Sequence, residues 1–151
     1  MGKLAGMLCA AMGWTNSHAH ALRVGDDYFT TLSEDSDEDE IDEDGVTVLE
    51  ALGGEQRFFY DYDFGDDWTH QVVVEELTWS PSKVKSAVCL DGQNACPPED
   101  VGGPSGYAHF LEAIRNADHD EHDSYLEWVG GSFDPAAFDL AATNARCQRT
   151  R

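Results

Sequence analysis

Residues 57–74 constrain the fold more than any other part of the sequence, because aromatic and aliphatic residues alternate with polar ones on both sides of a short turn. A period of two is typical of strands with one buried face, and Gly-Asp-Asp is a typical turn sequence. We predict a β-hairpin with a three-residue loop, residues 65–67. In this register one apolar face carries Phe58, Tyr60, Tyr62, Phe64, Trp68, His70, Val72 and Val74.

The opposite face of the predicted hairpin is polar. Asp61 lies across from Gln71 and Asp63 across from Thr69, so both carboxylates are directed to solvent or to a site. With two more acids in the turn, the hairpin offers oxygen ligands for a hard cation from Asp61, Asp63, Asp66 and Asp67. The alternative is that the turn acids only form the turn and the strand acids only face water.

His70 would add a further ligand to this set in one register but not in the other. A three-residue loop places His70 beside Tyr62 on the apolar face, away from the carboxylates. A two-residue loop would exchange the faces of one strand and place His70 with the acids. The contribution of His70 therefore depends on the register of the hairpin.

Other strands and helices are predicted before this hairpin. Apolar residues at helical spacing predict a helix over 4–12 that ends at Gly13. Alternation over 18–24 predicts a strand that turns back toward residues 28–30 as a second hairpin. A short helix is predicted over 46–52.

After a break at residues 80–82, a strand-like stretch is predicted over 84–90, followed by a turn at Asp91-Gly92. The rest of the chain is predicted to be helical where it is regular, including a short helical stretch over 125–129 that ends at Gly130-Gly131. A loop rich in Pro and Gly runs over 95–107 and is incompatible with a regular element. One helix is predicted from Tyr107, and another is predicted to be capped by Asp134 with Pro135 at its first position. The predicted fold is a single α+β domain with an antiparallel sheet of hairpins packed against several short helices.

Four cysteines occur in a chain without a recognisable secretion signal, which favours reduced thiols or a metal site over disulfides. Cys9 lies on the apolar stripe of the first helix, and Cys147 lies near the end of the chain. A zinc site would have to combine the other two cysteines with imidazoles, as Cys89, Cys96, His18 and His20. The alternative is that the cysteines pack a compact loop and the imidazoles are hydrogen-bonded. No other cofactor is predicted.

Two further groups are candidates for binding. The segment formed by Pro97, Pro98, Glu99 and Asp100 has the rigidity of a recognition surface, and equally that of a fixed connection that positions the helix at Tyr107. His119 and His122 are at helical spacing among acids, where they could bind a metal or belong to a solvated turn.

Thirty acids against nine bases give the chain a formal net charge of −21, a field that repels phosphate backbones and anionic lipids. We therefore expect neither direct binding to nucleic acid nor association with membranes, and an unidentified protein as the partner. No stretch approaches the roughly 18 apolar residues that span a bilayer, so a cytoplasmic location is expected. The excess of Asp and the scarcity of Lys would suit a salt-rich cytosol, or would simply keep the protein soluble.

Nine of the acids lie in one run within residues 33–45. Their mutual repulsion and the single apolar anchor, Ile41, predict a loosely ordered acidic loop. Deleting this loop is expected to cost little stability.

Several motifs in one order resemble the plasmid pRi ORF-three-like family, the TnpR-like passenger proteins of insertion elements. They cover almost the whole chain. The motifs are Gly13-Trp14 with Ser17-His18 and His20, Tyr62 to His70, Cys89 to Gly92, Ala95 to Asp100, Gly102-Gly103 with Gly106-Tyr107, and Phe133 to Pro135 with Phe138-Asp139.

The resemblance implies a single α+β domain with an antiparallel sheet. Members usually begin earlier, with a strand that carries a Pro-Pro-Val-Trp-Arg-Arg-like segment, so the expectation is either that the start is placed late or that the first strand is lost. A resolvase would need an activated nucleophile among several arginines and a basic DNA-binding module. The six arginines here are scattered along the sequence, so we interpret the TnpR-like label as genetic neighbourhood.

Two hypotheses about function follow. The favoured one is a non-enzymatic accessory or binding domain of a mobile element, because no nucleophile has an evident base. Its rival is a metal-dependent hydrolase that uses the hairpin between Asp61 and His70, or a zinc-binding protein that uses Cys89 and Cys96.

Overall fold

The computed structural model describes residues 1–78 and 86–150, so the predicted break at 80–82 lies outside the described residues. These described residues contain five strands and five helices, and their order along the chain shows no repeat. In chain order they are α1 (Gly2–Met12), β1 (His20–Val24), β2 (Asp27–Thr30), β3 (Glu40–Asp42), α2 (Val48–Leu52), β4 (Arg57–Tyr62), β5 (Trp68–Val73), α3 (Gly103–Arg115), α4 (His122–Trp128) and α5 (Leu140–Cys147).

The strands form one open sheet in the order β3-β2-β1-β4-β5. β1 pairs antiparallel with β2 and with β4, and β4 pairs antiparallel with β5. The edge strand β3 lies parallel to β2, so the sheet is mixed and the prediction of a purely antiparallel sheet is wrong at this edge. The cause is the acidic segment, which returns alongside β2 after a connection of irregular structure.

The predicted hairpin of β4 and β5 is present, but its register is wrong by two residues. Tyr62 pairs with Trp68 and Tyr60 with His70, so residues 63–67 form the connection. A shift of two residues leaves each side chain on its predicted face. The assignment of the buried face is therefore confirmed for the two tyrosines, each 1% exposed, and His70 lies away from Asp61.

Asp63 accounts for the longer connection. Its φ of 56° is in the left-handed region, and its Oδ1 accepts hydrogen bonds from the amides of Gly65 and Asp66. The amide of Asp67 donates to the carbonyl of Asp63 and closes the loop. Asp63 consequently leaves the polar face of the hairpin and becomes buried, whereas Phe64 leaves the apolar face and is 52% exposed.

The core lies between the inner face of the sheet and α1. Leu22 and Phe29 face α1 from the sheet, and Ala5 and Cys9 face the sheet from α1. Helix α5 packs on α1. A second aromatic group, centred on the fully buried Phe110 of α3, is formed by Phe110, Tyr107, Tyr125, Trp128 and Phe133. The chain folds as a single α+β domain.

The helix predictions differ in accuracy. The first helix and the short helix α2 are confirmed, and Thr47 forms a capping box at the start of α2. Helix α3 begins at Gly103 rather than Tyr107, because Pro104 is tolerated in a first turn, where amides lack helical partners. The helix predicted from Asp134 is wrong, since α5 begins at Leu140 with Asp139 as its cap.

The acidic segment is ordered at its C-terminal end, so the prediction of a loose loop over 33–45 is wrong there. Glu43 is only 4% exposed. Its carboxylate accepts hydrogen bonds from His20 at 3.1 Å and from Thr31 at 2.9 Å, and its carbonyl oxygen accepts one from the Met1 ammonium. These contacts join the acidic segment, the sheet and the N-terminus of α1.

Replacing Glu43 with alanine should lower the free energy of unfolding by about 2 kcal/mol, because the half-buried imidazole of His20 and the hydroxyl of Thr31 lose their acceptor and a buried side chain is removed. The matched control is Asp35→Ala, which removes an exposed acid from the same segment and should change stability by less than about 0.5 kcal/mol. Urea denaturation measures both. Equal stability of the two variants would mean that the contacts of Glu43 contribute nothing.

Candidate functional site

Four of the candidate residues identified from sequence meet in one place, which we call the His18 recess: His18, Asp63, Glu99 and Asp100. The His18 ring lies between the two aspartates, with Nδ1 3.6 Å from Asp63 Oδ2 and Nε2 3.3 Å from Asp100 Oδ1. Glu99 Oε2 is 3.9 Å from the same Nε2. The recess therefore gathers one imidazole and three carboxylates from three separate segments of the chain.

Asp63 is fixed in the recess by its own loop. The amide of Asp63 donates to the carbonyl of Ala19, which ties the end of β4 to the residue after His18. Because Asp63 Oδ1 accepts the two loop amides, the other oxygen is directed toward His18. The side chain is 11% exposed, so one carboxylate oxygen is presented from an otherwise buried group.

Glu99 is held by hydrogen bonds from Thr15 and from Tyr62, whose hydroxyl lies 3.2 Å from both carboxylate oxygens. Its Oε1 accepts from the amide of Thr15 at 2.7 Å, from the Thr15 hydroxyl at 2.9 Å and from the Tyr62 hydroxyl at 3.2 Å. Burial raises the pKa of Tyr62 to about 12, so at neutral pH the phenol keeps the proton that it donates. These donors fix the carboxylate on the floor of the recess.

Trp14 attaches the segment before Glu99 to the core. Its ring stacks on Tyr62 with centroids 4.7 Å apart, and its Nε1 donates to the carbonyl of Pro97 at 3.1 Å. Pro97 is therefore an anchored residue, and Pro98 continues from it to Glu99. This geometry supports the fixed-connection interpretation of the two prolines.

The hairpin loop and the segment after Asp100 pack backbone against backbone. Asp66 Oδ2 accepts a hydrogen bond from the Gly102 amide at 3.0 Å. Gly103 has a φ of +66°, and a Cβ added to it would lie 2.1 Å from the carbonyl oxygen of Asp66. Only glycine permits this approach, which keeps the segments that carry Asp63 and Asp100 close together around His18.

Three residues of the His18 recess could hold a cation. Ligand atoms of His18, Asp63 and Asp100 all lie within 4.8 Å of one another. Imidazole and carboxylate together suit Mn²⁺ or Zn²⁺ better than Mg²⁺ or Ca²⁺, which prefer oxygen ligands alone. Asp100 is the exposed member, with a side chain 72% accessible, so the recess opens to solvent on its side.

The four hairpin aspartates have separate partners, so the structure does not bring together the cation set predicted from the hairpin alone. Asp61 lies on the outer face of the sheet, where Arg23 and Thr69 donate to it. Burial alone would raise the pKa of Asp61, but these hydrogen bonds and the Arg23 charge hold it below its usual value. Asp66 and Asp67 belong to the loop.

His70 likewise does not join the aspartates in a set of metal ligands. Its Nδ1 is 3.1 Å from the carbonyl oxygen of Tyr60, and its ring meets the edge of Trp14 with centroids 5.3 Å apart. Tyr107, the last of the binding candidates, lies in the second aromatic group beside Trp68. Both residues pack and orient their neighbours.

The predicted zinc set is also dispersed. His20 binds Glu43, and the backbone of Cys89 is held by Asn144. Burial, followed by repulsion from Glu99, raises the pKa of the Cys96 thiol to about 12 and disfavours the thiolate that zinc requires. Among residues 1–78 and 86–150 two clusters of metal-ligand type occur, and neither contains a cysteine.

The second cluster lies where α3 faces the segment before α4. It consists of His109, His119 and Glu121, with His109 Nε2 2.6 Å from Glu121 Oε2. The Glu121 amide donates to His119 Nδ1, so that nitrogen is already occupied. The predicted partner of His119 is not a member, because His122 Nδ1 is hydrogen-bonded to the carbonyl of Ala113.

Sequence reasoning identified the side chains of the recess but missed the residues that support them. Thr15 and Tyr62 contact Glu99 across separations of 84 and 37 residues. No periodic pattern reveals such contacts, although the adjacent glycines Gly102 and Gly103 are consistent with a close approach of two backbones.

Every helix in the described residues is too short or too polar to cross a membrane.

Comparisons with known proteins agree with this fold. An uncharacterised protein of Sinorhizobium fredii is 40% identical over 147 residues, which cover 95% of this chain and 75% of that protein. A crystal structure of a protein of unknown function from Methanosarcina mazei Go1 superposes with a TM-score of 0.76 at 27% identity, covering 91% of this chain and 79% of the other. The model of the plasmid pRiA4b ORF-3-like proteins matches residues 1–142, and the chain belongs to that family.

Proposed function

We propose that this protein is a non-enzymatic binding domain that serves a mobile element, and that its site is the His18 recess with a divalent cation bound there. One observation carries the proposal: ligand atoms of His18, Asp63 and Asp100 lie within 4.8 Å of one another although the three residues come from different segments. The cation would be held by one neutral imidazole and two carboxylates, a set that suits Mn²⁺ or Zn²⁺.

The support around these ligands favours a built site over a chance encounter of surface acids. Asp63 and Glu99 are each held by hydrogen bonds that leave a carboxylate oxygen facing His18. Outer-shell contacts of this kind fix the orientation of metal ligands in proteins. A cation would also offset the repulsion among three carboxylates that surround one imidazole.

The association with a mobile element has separate support. The family that matches this chain takes its name from an open reading frame of a plasmid. The net charge of −21 opposes direct contact with nucleic acid, which favours a protein as the partner. In this proposal the cation orders the segment 97–103 next to the hairpin loop and so shapes the surface that the partner contacts.

A second candidate function is metal-dependent hydrolysis, and the open side of the recess favours it. Catalytic metal sites commonly use three protein ligands and leave a position for water. The three ligands of the recess, with an exposed Asp100 at its mouth, match that description. Both functions require the same bound cation, but only the hydrolase would turn over a substrate.

Elemental analysis of protein purified after expression with added manganese and zinc tests the proposal. We expect about one ion per chain in the wild type and a loss of most of it in His18→Ala. The same preparations should not hydrolyse p-nitrophenyl phosphate or p-nitrophenyl acetate above the rate of His18→Ala. Metal-free wild-type protein would contradict the cation site, and His18-dependent hydrolysis would establish the enzyme.

A further inference from the structure

Next to the His18 recess lies a cleft of about 340 Å³, which we call the Trp128 cleft; its lining residues are Asp100, Val101, Glu121, Ser124, Tyr125 and Trp128. We propose that this cleft binds an arginine or lysine side chain from a basic segment of a protein partner. The inference goes beyond the cation site and does not depend on it.

The walls of the cleft are aromatic. Trp128 and Tyr125 project from α4, and both pack against the buried Phe110 at centroid distances of 5.9 Å and 5.4 Å. Trp128 is nevertheless 47% exposed, so part of its indole remains free to contact a ligand. A guanidinium or ammonium group is attracted to such a ring face, and an alkyl stem packs on the same surface.

Two of the residues that line the cleft, Asp100 and Glu121, carry carboxylates. Asp100 enters from the loop before α3, and Glu121 enters from the residue before α4. Glu121 Oε2 is hydrogen-bonded to His109 Nε2, and this contact orients the Glu121 carboxylate. The other carboxylate oxygen, Oε1, could therefore accept a hydrogen bond from a ligand. Two carboxylates beside an indole favour a flat, bidentate cation such as guanidinium.

Charge selects the class of ligand. None of the six residues that line the cleft is basic. The acids that flank Glu121 in the chain, Asp118, Asp120 and Asp123, are exposed as well. An anion would therefore be repelled, and a neutral group would gain no attraction from the negative charge that surrounds the cleft.

The continuity of the acidic surface favours a protein segment over a free amine. Asp100 belongs both to the Trp128 cleft and to the His18 recess, where Glu99 lies beside it. A row of carboxylates therefore extends beyond the cleft, and its field would attract further basic residues of the same segment toward the surface. A single free amine would use only one end of this row.

The test is a titration of the full chain with the peptide acetyl-Gly-Arg-Gly-Arg-Gly-amide, in EDTA so that no divalent cation contributes. The indole N–H resonance of Trp128, assigned with Trp128→Phe, reports binding at the cleft. The matched peptide replaces arginine with neutral citrulline. We expect the arginine peptide to shift the resonance and the citrulline peptide to bind about tenfold more weakly or not at all.

Variants separate the cleft from the general negative charge. Isothermal titration calorimetry with the arginine peptide measures the affinity of each variant, including those that lack the Trp128 indole. Glu121→Gln and Trp128→Ala should each weaken binding about tenfold, whereas Glu127→Gln removes an exposed acid from the same helix outside the cleft and should not. Trp128→Phe should retain most of the affinity. Equal binding by Glu121→Gln and Glu127→Gln would overturn the proposal, as would equal binding of both peptides. Spermidine that binds as tightly as the peptide would overturn the assignment to a protein segment.

Discussion

Replacing Gly103 with alanine should lower the free energy of unfolding by about 3 kcal/mol or more, whereas the same replacement at Gly130 should cost about 1 kcal/mol. Both glycines have positive φ, 66° and 83°, so both variants carry the strain of a left-handed alanine. They differ in what the new methyl group meets.

At Gly103 the added Cβ would lie 2.1 Å from the carbonyl oxygen of Asp66, and 3.0 Å from its carbonyl carbon. These are backbone atoms, so no rotamer change relieves the overlap and two segments must separate. At Gly130 no atom lies within 4 Å of the added Cβ among the described residues. The difference between the variants therefore isolates the contact between the hairpin loop and the start of α3.

Urea denaturation of the two variants measures this difference. Because the contact holds the segments of Asp63 and Asp100 together around His18, any folded Gly103→Ala protein should also bind a divalent cation more weakly than Gly130→Ala. Equal losses of stability at the two positions would contradict the close approach. Loss of stability without loss of cation affinity would mean that the contact between the hairpin loop and α3 does not support the cation site.

The parts of the fold that sequence predicted are those set by local patterns. Alternation placed Tyr60 and Tyr62 on the buried face, because strand periodicity survives a shift of register by two. The register itself depended on Asp63, whose side chain caps its own loop in a left-handed conformation. Acidic residues in turns are common, so the sequence alone did not distinguish a five-residue connection from a three-residue one.

The acidic segment shows the opposite limitation. Its composition is typical of a disordered loop, and Glu43 is chemically the same as its neighbours in the run. Only the tertiary position beside His20 and Thr31 makes this one carboxylate a buried partner. Composition predicts the average behaviour of such a segment but not the exception that joins it to the sheet.

The residues of the candidate site could be identified from the sequence, but their arrangement in space could not. His18, Asp63, Glu99 and Asp100 were each considered from sequence, in three different hypotheses. Their convergence depends on contacts such as that of Tyr62 with Glu99, which no periodicity encodes. The cysteines were grouped with His18 and His20 by residue type alone, and the burial of Cys96 explains why that grouping fails.

Manganese affinity provides the second large effect, since removing a first ligand from a three-ligand site should weaken binding by about 100-fold. His18→Ala removes the imidazole between the two aspartates. Asp63→Asn keeps an oxygen for the loop amides and tolerates the positive φ, so it removes charge with little change of shape. His119→Ala is the matched control, because it removes an imidazole from the other cluster.

The most direct test is an electron paramagnetic resonance titration of Mn²⁺, in which the six-line signal of the free ion disappears on binding. We expect the wild type and His119→Ala to bind about one ion per chain, and His18→Ala and Asp63→Asn to bind about 100-fold more weakly. Binding that survives both changes in the recess, or that is lost only in His119→Ala, would contradict a cation site at His18.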